Sequence, residues 1–507
     1  MSAPATLAWF AAHEFRLAWR DWLAMMTAGK ARRLGTAALA LLGFVAFMHF
    51  IAIVTLRNVA DPGLAPDKTA LVVITGSALL AWSLMISQAM ESVTRAFYTR
   101  SDLDLILSSP IAARKVFSVR IVTMALGTVL MAALLAGPFI HVLVVRHGLR
   151  WLAAYGVVVS MGATAAAFAV TLTVALFRAI GPKRTRLVAQ IVAAVIGSAF
   201  VIGLQVAAIL SQGTLSRFAF LTSEAVVSHA PDAASPVWWP ARAMLGDPQA
   251  LAVVAAASFG LLAATVLFFA ARFGEHAIAA AGVADVRRRE ASAAAFRPAS
   301  PKQALRRKEW TLLRRDPWLV SQTLMQILYL LPPALMLWRS YGDGSGVFVV
   351  LVPVLVMAAG QLAGGLAWLA ISGEDAPDLV ATAPVPSHFL VRAKIEAVLG
   401  AVAIVFAPLV AALALIAPFP ALVAAVAMTV AVVAATVIQL WFRNQAKRSH
   451  FRRRHTSSRV ATFAEAFSSI AWAAAAALAA GESALALVPA AFGICVLIVA
   501  RAIRPKG

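Results

Sequence analysis

The chain predicts an all-α, polytopic transmembrane fold of about twelve spans, arranged as two six-span repeats with both termini cytoplasmic. Three observations predict it. Hydrophobic residues make up 62% of the 507 residues and charged ones only 13%, with a mean hydropathy of +0.85, values outside the range of soluble domains. The apolar residues gather into runs of spanning length, about 20 residues each. A polar stretch also occurs twice: Asp104-Leu105-x-x-x-x-Pro110 returns as Asp378-Leu379-x-x-x-x-Pro384, and Phe117-Ser-Val-Arg120 returns as Phe389-Leu-Val-Arg392.

Residues 1–35 precede the first long run. On a helical wheel Phe15, Trp19, Trp22, Leu23 and Met26 share one face, and His13, Glu14, Arg16, Arg20 and Asp21 the opposite one, with Leu17 breaking the pattern. Such a helix lies in the membrane interface, with tryptophans at headgroup level. The first six-span unit, 36–272, holds runs at 36–56, 69–91, 121–145, 152–177, 187–211 and 249–271, with an outside segment at 212–248. Between its second and third runs, Ser101-Asp102-Leu-Asp104 reads as a helix start, acidic residues being favourable at the positive end of the helix dipole. Ser108-Ser109-Pro110 stops that helix, because the residue before proline is pushed out of helical angles. A new helix then runs through Arg114, Lys115 and Arg120 into the third span.

A basic linker, 273–318, carries a second interfacial helix that echoes the first: Glu309 with Arg315-Asp316-Pro317-Trp318 repeats Glu14 with Arg20-Asp21-Trp22, seven residues from Glu to Asp in both. The second unit, 319–507, has runs at 319–338, 347–371, 395–416, 420–442, 463–481 and 484–503. Its connector, Ser372-Gly-Glu-Asp-Ala-Pro-Asp378 followed by Thr382-Ala-Pro384-Val-Pro386, makes a second helix–turn–helix elbow, two residues shorter between its proline and Arg392. One such elbow reads equally well as a solvated loop with ordinary capping residues; two at matching places argue for a shared task.

The net charge of +22 follows topology rather than an acidic partner. Of 44 Lys and Arg, 37 fall in inside loops, and only Arg57, Lys68, Arg146, Arg150, Arg217, Arg242 and Arg339 fall outside. This positive-inside bias sets the orientation and an even number of spans, and it removes any need for nucleic acid as a partner. The clusters Arg287-Arg288-Arg289, Arg306-Arg307-Lys308 and Arg452-Arg453-Arg454 suit anionic lipid. The single cysteine, Cys495, excludes an intrachain disulfide or a cysteine metal site. The N-terminus does not read as a cleaved signal, since charges and tryptophans precede a run of full spanning length.

The interfacial helix with Trp-Arg-Asp-Trp, the Asp-Leu-Asp-Leu-x-Leu-Ser-Ser-Pro elbow, its Ser-Gly-Glu-Asp-Ala-Pro-Asp-Leu counterpart and Pro236-x-Trp238-Trp239-Pro240-Ala-Arg242 resemble ABC-2 type exporter permeases, in the bacterial form that fuses two six-span units. The resemblance implies a bacterial inner-membrane protein in which each connector is a coupling helix seated on an ATP-binding subunit. It makes Asp102, Asp104, Pro110 and Arg120, with Asp378, Pro384 and Arg392, the candidate coupling residues. The helix positions Glu14, Arg20, Asp21 and Trp22, with Glu309, Arg315, Asp316 and Trp318, flank them. The halves differ outside, where only the first has a long segment.

The chain carries no ATPase of its own. No Gly-x-x-x-x-Gly-Lys-Ser/Thr loop occurs, Gly29-Lys30 lacking both the earlier glycine and the following hydroxyl residue. Two copies of a separate ATP-binding subunit are therefore expected beneath the elbows, and ATP and magnesium belong to that partner. Two histidines at membrane depth, His49 and His141, are candidates for the substrate path, since polar groups there are costly and often functional. Gln190, Gln205, Gln326, Gln361 and Gln439 either line a path or bond across helices, Gly360-x-x-x-Gly364-Gly365 permits close helix contact, and Glu396 and Glu465 sit where water or an arginine can satisfy them. A secondary transporter also suits twelve spans in two halves, but the major-facilitator Gly-x-x-x-Asp-Arg-x-Gly-Arg pattern is missing after span 2. A membrane transferase would need gathered catalytic groups, and His49 and His141 stand without a neighbouring carboxylate; Glu224, His229 and Asp232 outside are its remaining resource. No feature names the cargo.

Overall fold

In the computed structural model the chain is helical throughout its described residues, which are 7–27, 34–57, 63, 66–98, 113–212, 217–282, 300–315, 328, 330–332, 334–336, 348–372, 380, 382, 385–442 and 459–504. It divides into two compact units, Met1–Arg287 and Arg288–Gly507. Among the described residues ten helices are long and apolar enough to cross a membrane. The expected first span coincides with helix Leu34–Thr55, whose strongly apolar part is the shorter stretch Leu41–Thr55. The expected seventh, 319–338, falls mostly outside the described residues.

Unit 1 opens with α1 (Leu7–Thr27), α2 (Leu34–Thr55), α3 (Lys68–Tyr98) and α4 (Ala113–His147). The next helix, α5 (Ala153–Gln212), joins two expected spans across a break at Gly181, where φ is 73°. That left-handed backbone suits glycine, and Pro182 then starts the next turn. A Cβ at Gly162 would meet Met85, and one at Gly197 would meet Ser87, so both arms of α5 reach α3 at the same level. The arms therefore run antiparallel, as two spans must. Around them Met85, Met90, Phe117, Ile121, Val170 and Phe177 interleave with Ala163, Ala165, Ala166 and Ala169, whose small side chains let the helices approach.

The segment expected outside in unit 1 folds into α6 (Arg217–Leu221), α7 (Glu224–His229), a 3-10 turn at Pro236–Trp238 and α8 (Trp239–Met244) before α9 (Pro248–Gly282). Trp238 anchors it: the indole is buried against Leu71, Val72 and Leu221, and its N–H donates to the Asp232 carbonyl at 3.0 Å. Lys68 pairs with the Asp232 carboxylate at 3.0 Å, and Arg242 donates to the Ala233 carbonyl. The segment is thus a cap bound to the Lys68 end of α3.

Unit 2 comprises α10 (Pro301–Arg315), α11 (Phe348–Ser372), α12 (Ser387–Ile416), α13 (Pro418–Trp441), α14 (Arg459–Ala480) and, after a 3-10 turn, α15 (Leu487–Ala502). Its core gathers Leu355, Leu366, Val398, Phe406 and Leu413 around α11. The close contact expected at Gly360 and Gly364 is present: α14 lies against both, placing Ser469 at the first and Glu465 at the second. In both units large apolar side chains such as Phe47, Phe50, Phe268, Ile404 and Leu415 face outward, as a lipid-facing surface requires.

Candidate functional site

The connector after α3 spans 99–112, and the one after α11 spans 373–386. Asp102, Asp104, Pro110, Asp378 and Pro384 lie outside the described residues, as do Asp316 and Trp318 and the side chains of Asp21, Trp22 and Arg315. What the structure describes is the root of each connector, where the helices on either side of it pack.

In unit 1 the root is a buried ion pair. Glu14 of α1 and Arg120 of α4 are each about 3% exposed, and Arg120 Nε lies 3.6 Å from the Glu14 carboxylate. Phe10, Val116 and Val119 close over it, and the guanidinium sits 5.7 Å from the Phe117 ring. Glu14 is therefore not on a water-facing surface opposite the aromatic residues. α1 has three faces: Phe15 and Trp19 exposed on one, Arg16, Arg20 and Trp9 exposed on the next, and Phe10 with Glu14 turned into the protein.

In unit 2 the same task is spread over more groups. Glu309 of α10, 1% exposed, accepts from Lys394 Nζ of α12 at 2.9 and 3.0 Å and from Lys308 at 3.3 Å. Lys394 also donates to the Ala370 carbonyl at 2.5 Å, so one ammonium ties α10, the last turns of α11 and the start of α12. Closer to solvent, Glu396 accepts from Arg306 at 2.6 Å and from Arg392 at 2.8 Å. The hydrogen bond to Glu396, and then its charge, raise the Arg306 guanidinium above its already high ordinary value. Lys302 covers the Phe389 ring at 4.9 Å.

Arg392, matched in sequence to Arg120, does not occupy the matching place. It is 73% exposed and bonds outward to Glu396, while Lys394 reaches the buried glutamate. The register explains why. Arg120 follows Pro110 by ten residues and Lys394 follows Pro384 by ten, whereas Arg392 follows by eight. Counting from the proline, rather than aligning Phe-x-Val-Arg, finds the residue that turns inward.

The two intramembrane histidines do not stand alone. His49 of α2 and His141 of α4 meet at 3.1 Å, Nε2 to Nδ1; Tyr155 of α5 reaches His141 Nε2 at 2.8 Å; and His49 Nδ1 lies 2.8 Å from the Val45 carbonyl. A carbonyl only accepts, so His49 Nδ1 donates. With both imidazoles neutral, His141 Nδ1 then donates to His49 Nε2 and the Tyr155 hydroxyl donates to His141 Nε2, which satisfies every group. Nearby, Arg146 donates to the Leu56 and Arg57 carbonyls at 2.9 Å and caps α2. The candidate transferase residues disperse: His229 Nδ1 bonds the Ala225 carbonyl of its own helix, and Asp232 is held by Lys68.

These helices define an integral, multi-pass membrane protein whose polar groups are concentrated at helix roots and a few interhelical contacts. A family model described as "Putative ABC exporter" matches residues 31–315, more than half of the chain. The chain belongs to this ABC exporter family, as a transporter membrane component. No curated protein and no solved structure matches it.

Proposed function

We propose that the chain is the permease subunit of an ATP-driven exporter of the ABC-2 type in the bacterial inner membrane, with twelve spans in two repeats and both termini cytoplasmic. Two copies of a separate ATP-binding subunit, which bind ATP and magnesium, dock beneath the two elbows. The observation that carries this reading is the pair of roots: in each unit a buried glutamate of the opening helix, α1 or α10, binds a cation ten residues beyond the elbow proline. A solvated loop needs no such anchor. A connector that receives force does, because a push on it must move whole helices rather than bend its own ends. ATP-driven closure of the partner then drives the elbows, and through the roots the spans switch from inward-open to outward-open. His49 and His141 belong to the substrate path in this reading.

The test is a detergent pull-down of the tagged protein, scored for a co-purifying ATPase, beside an Asp104→Ala/Asp378→Ala double variant. An ATPase that accompanies the wild type and is lost or uncoupled in the variant supports the permease and locates the contact. A protein that purifies alone, yet moves solute in vesicles under an ion gradient, overturns it in favour of ion-coupled transport.

A further inference from the structure

One polar group of unit 2 is used by none of this. Glu465 lies four residues into the span Ala461–Ala480, about 6 Å along the helix. Gln439 Nε2 of α13 donates to one carboxylate oxygen at 2.6 Å. The other faces the backbone of α11 at Gly364, where a Cβ would overlap it. Of the two expected partners, water or an arginine, no arginine is seen: among the described residues no cation bonds Glu465. Of the helices packed on α14, α11 and α13 contain no titratable side chain, and α15 offers only Cys495 and Arg501, both exposed. Arg459, at the start of α14, has its side chain outside the described residues, and so does the basic linker 443–458.

The same helix face holds three buried polar atoms that have no partner: Ser468 Oγ, Ser469 Oγ and Trp472 Nε1. Ser468 and Ser469 are 1% and 2% exposed. Positions 465, 468, 469 and 472 follow helical spacing, so they form one stripe from near the basic end of the span toward its middle. Buried hydroxyls and indole N–H groups are nearly always satisfied, by protein or by ordered water. An ionised carboxylate in such a seam is costly without a cation.

We propose that Glu465 with Gln439, Ser468 and Ser469 forms a proton-binding site inside unit 2, Glu465 carrying the proton and water on the serine stripe exchanging it. With the carboxyl neutral, α14 seats directly on Gly364. Losing the proton places a bare charge against the α11 backbone, and the seam must then admit water or a cation. The site is independent of the exporter reading, since it concerns this chain alone.

The test uses the full chain in nanodiscs, treated with dicyclohexylcarbodiimide, a hydrophobic reagent that attacks protonated carboxyls, and mapped by mass spectrometry between about pH 5 and 9. The expected result is modification at Glu465 that falls several-fold as pH rises, none at Glu396 with its two arginines, and none at position 465 in Glu465→Gln. No modification at any pH would show that an arginine of 443–459 keeps Glu465 ionised, and would overturn the proposal. Modification that never changes with pH would also overturn it, marking a permanently neutral structural carboxyl. The wild-type pH series decides between these even where the variant fails to fold.

Discussion

The two connector roots are held by opposite strategies. Unit 1 concentrates its charge in one sealed pair, Glu14 with Arg120, both almost fully buried. Unit 2 distributes it: Glu309 and Lys394 are inside, Lys308 is half-covered, and Arg306, Glu396 and Arg392 form an outer layer open to water. A sealed pair is rigid but intolerant, because losing one partner strands the other in a low dielectric. A layered network loses less with any one member and retains sensitivity to salt. The roots are thus built to different tolerances, and each prediction below probes that difference.

The largest effect is expected in unit 1. Arg120→Ala or Glu14→Ala leaves a buried charge unpaired and should cost about 3 to 5 kcal/mol, read as lost monodisperse protein and a lowered melting temperature in detergent. The double variant Glu14→Leu/Arg120→Leu should recover much of that loss, since it removes both charges; no recovery would mean that the pair is not what holds α1 on α4. Next, a double-mutant cycle on Glu309→Gln and Lys394→Met should give a coupling of about 1.5 to 3 kcal/mol, the range for hydrogen bonds to charged groups. A coupling near zero would mean that Lys308 substitutes fully for Lys394. Third, Arg120→Lys should weaken the unit 1 root by about 1 kcal/mol, an ammonium being unable to reproduce the guanidinium's planar packing by Phe117. The smallest effect belongs to Arg392→Ala, below about 1 kcal/mol as for exposed pairs, and it should fade in high salt while the effect of Arg120→Ala does not. A loss at Arg392 as large as that at Arg120 would restore the Phe-x-Val-Arg alignment and remove the distinction.

Membrane class and most spans were legible in the sequence because a span is a statement about composition over a window, and tertiary packing barely alters it. The contact at Gly360 and Gly364 was legible for a similar reason: glycines four apart on an apolar helix leave a notch whatever fills it. Pairings were harder. His49 and His141 are 92 residues apart, and only the rotation of α2 and α4 brings their rings together. A helical wheel sorts residues by polarity alone and so puts Glu14 with the polar face, whereas a buried ion pair turns a polar residue toward the protein. Lys394 was within reach, since the ten-residue count from Pro384 was in the sequence, but the more conspicuous Phe-x-Val-Arg match drew the comparison to Arg392.

The cap of unit 1 stands on one end of a helix whose other end leads into the connector at 99–112. α3 is unbroken from Lys68 to Tyr98, 31 residues or about 45 Å, and its outer turns fit the cap so closely that a Cβ at Gly76 would meet Leu221 at 3.0 Å. It is in effect a pushrod. If the exporter reading holds, a displacement of the Tyr98 end of this helix is carried to the cap without passing through a loop that could absorb it, so a probe attached to the cap would read events at the opposite end of the helix.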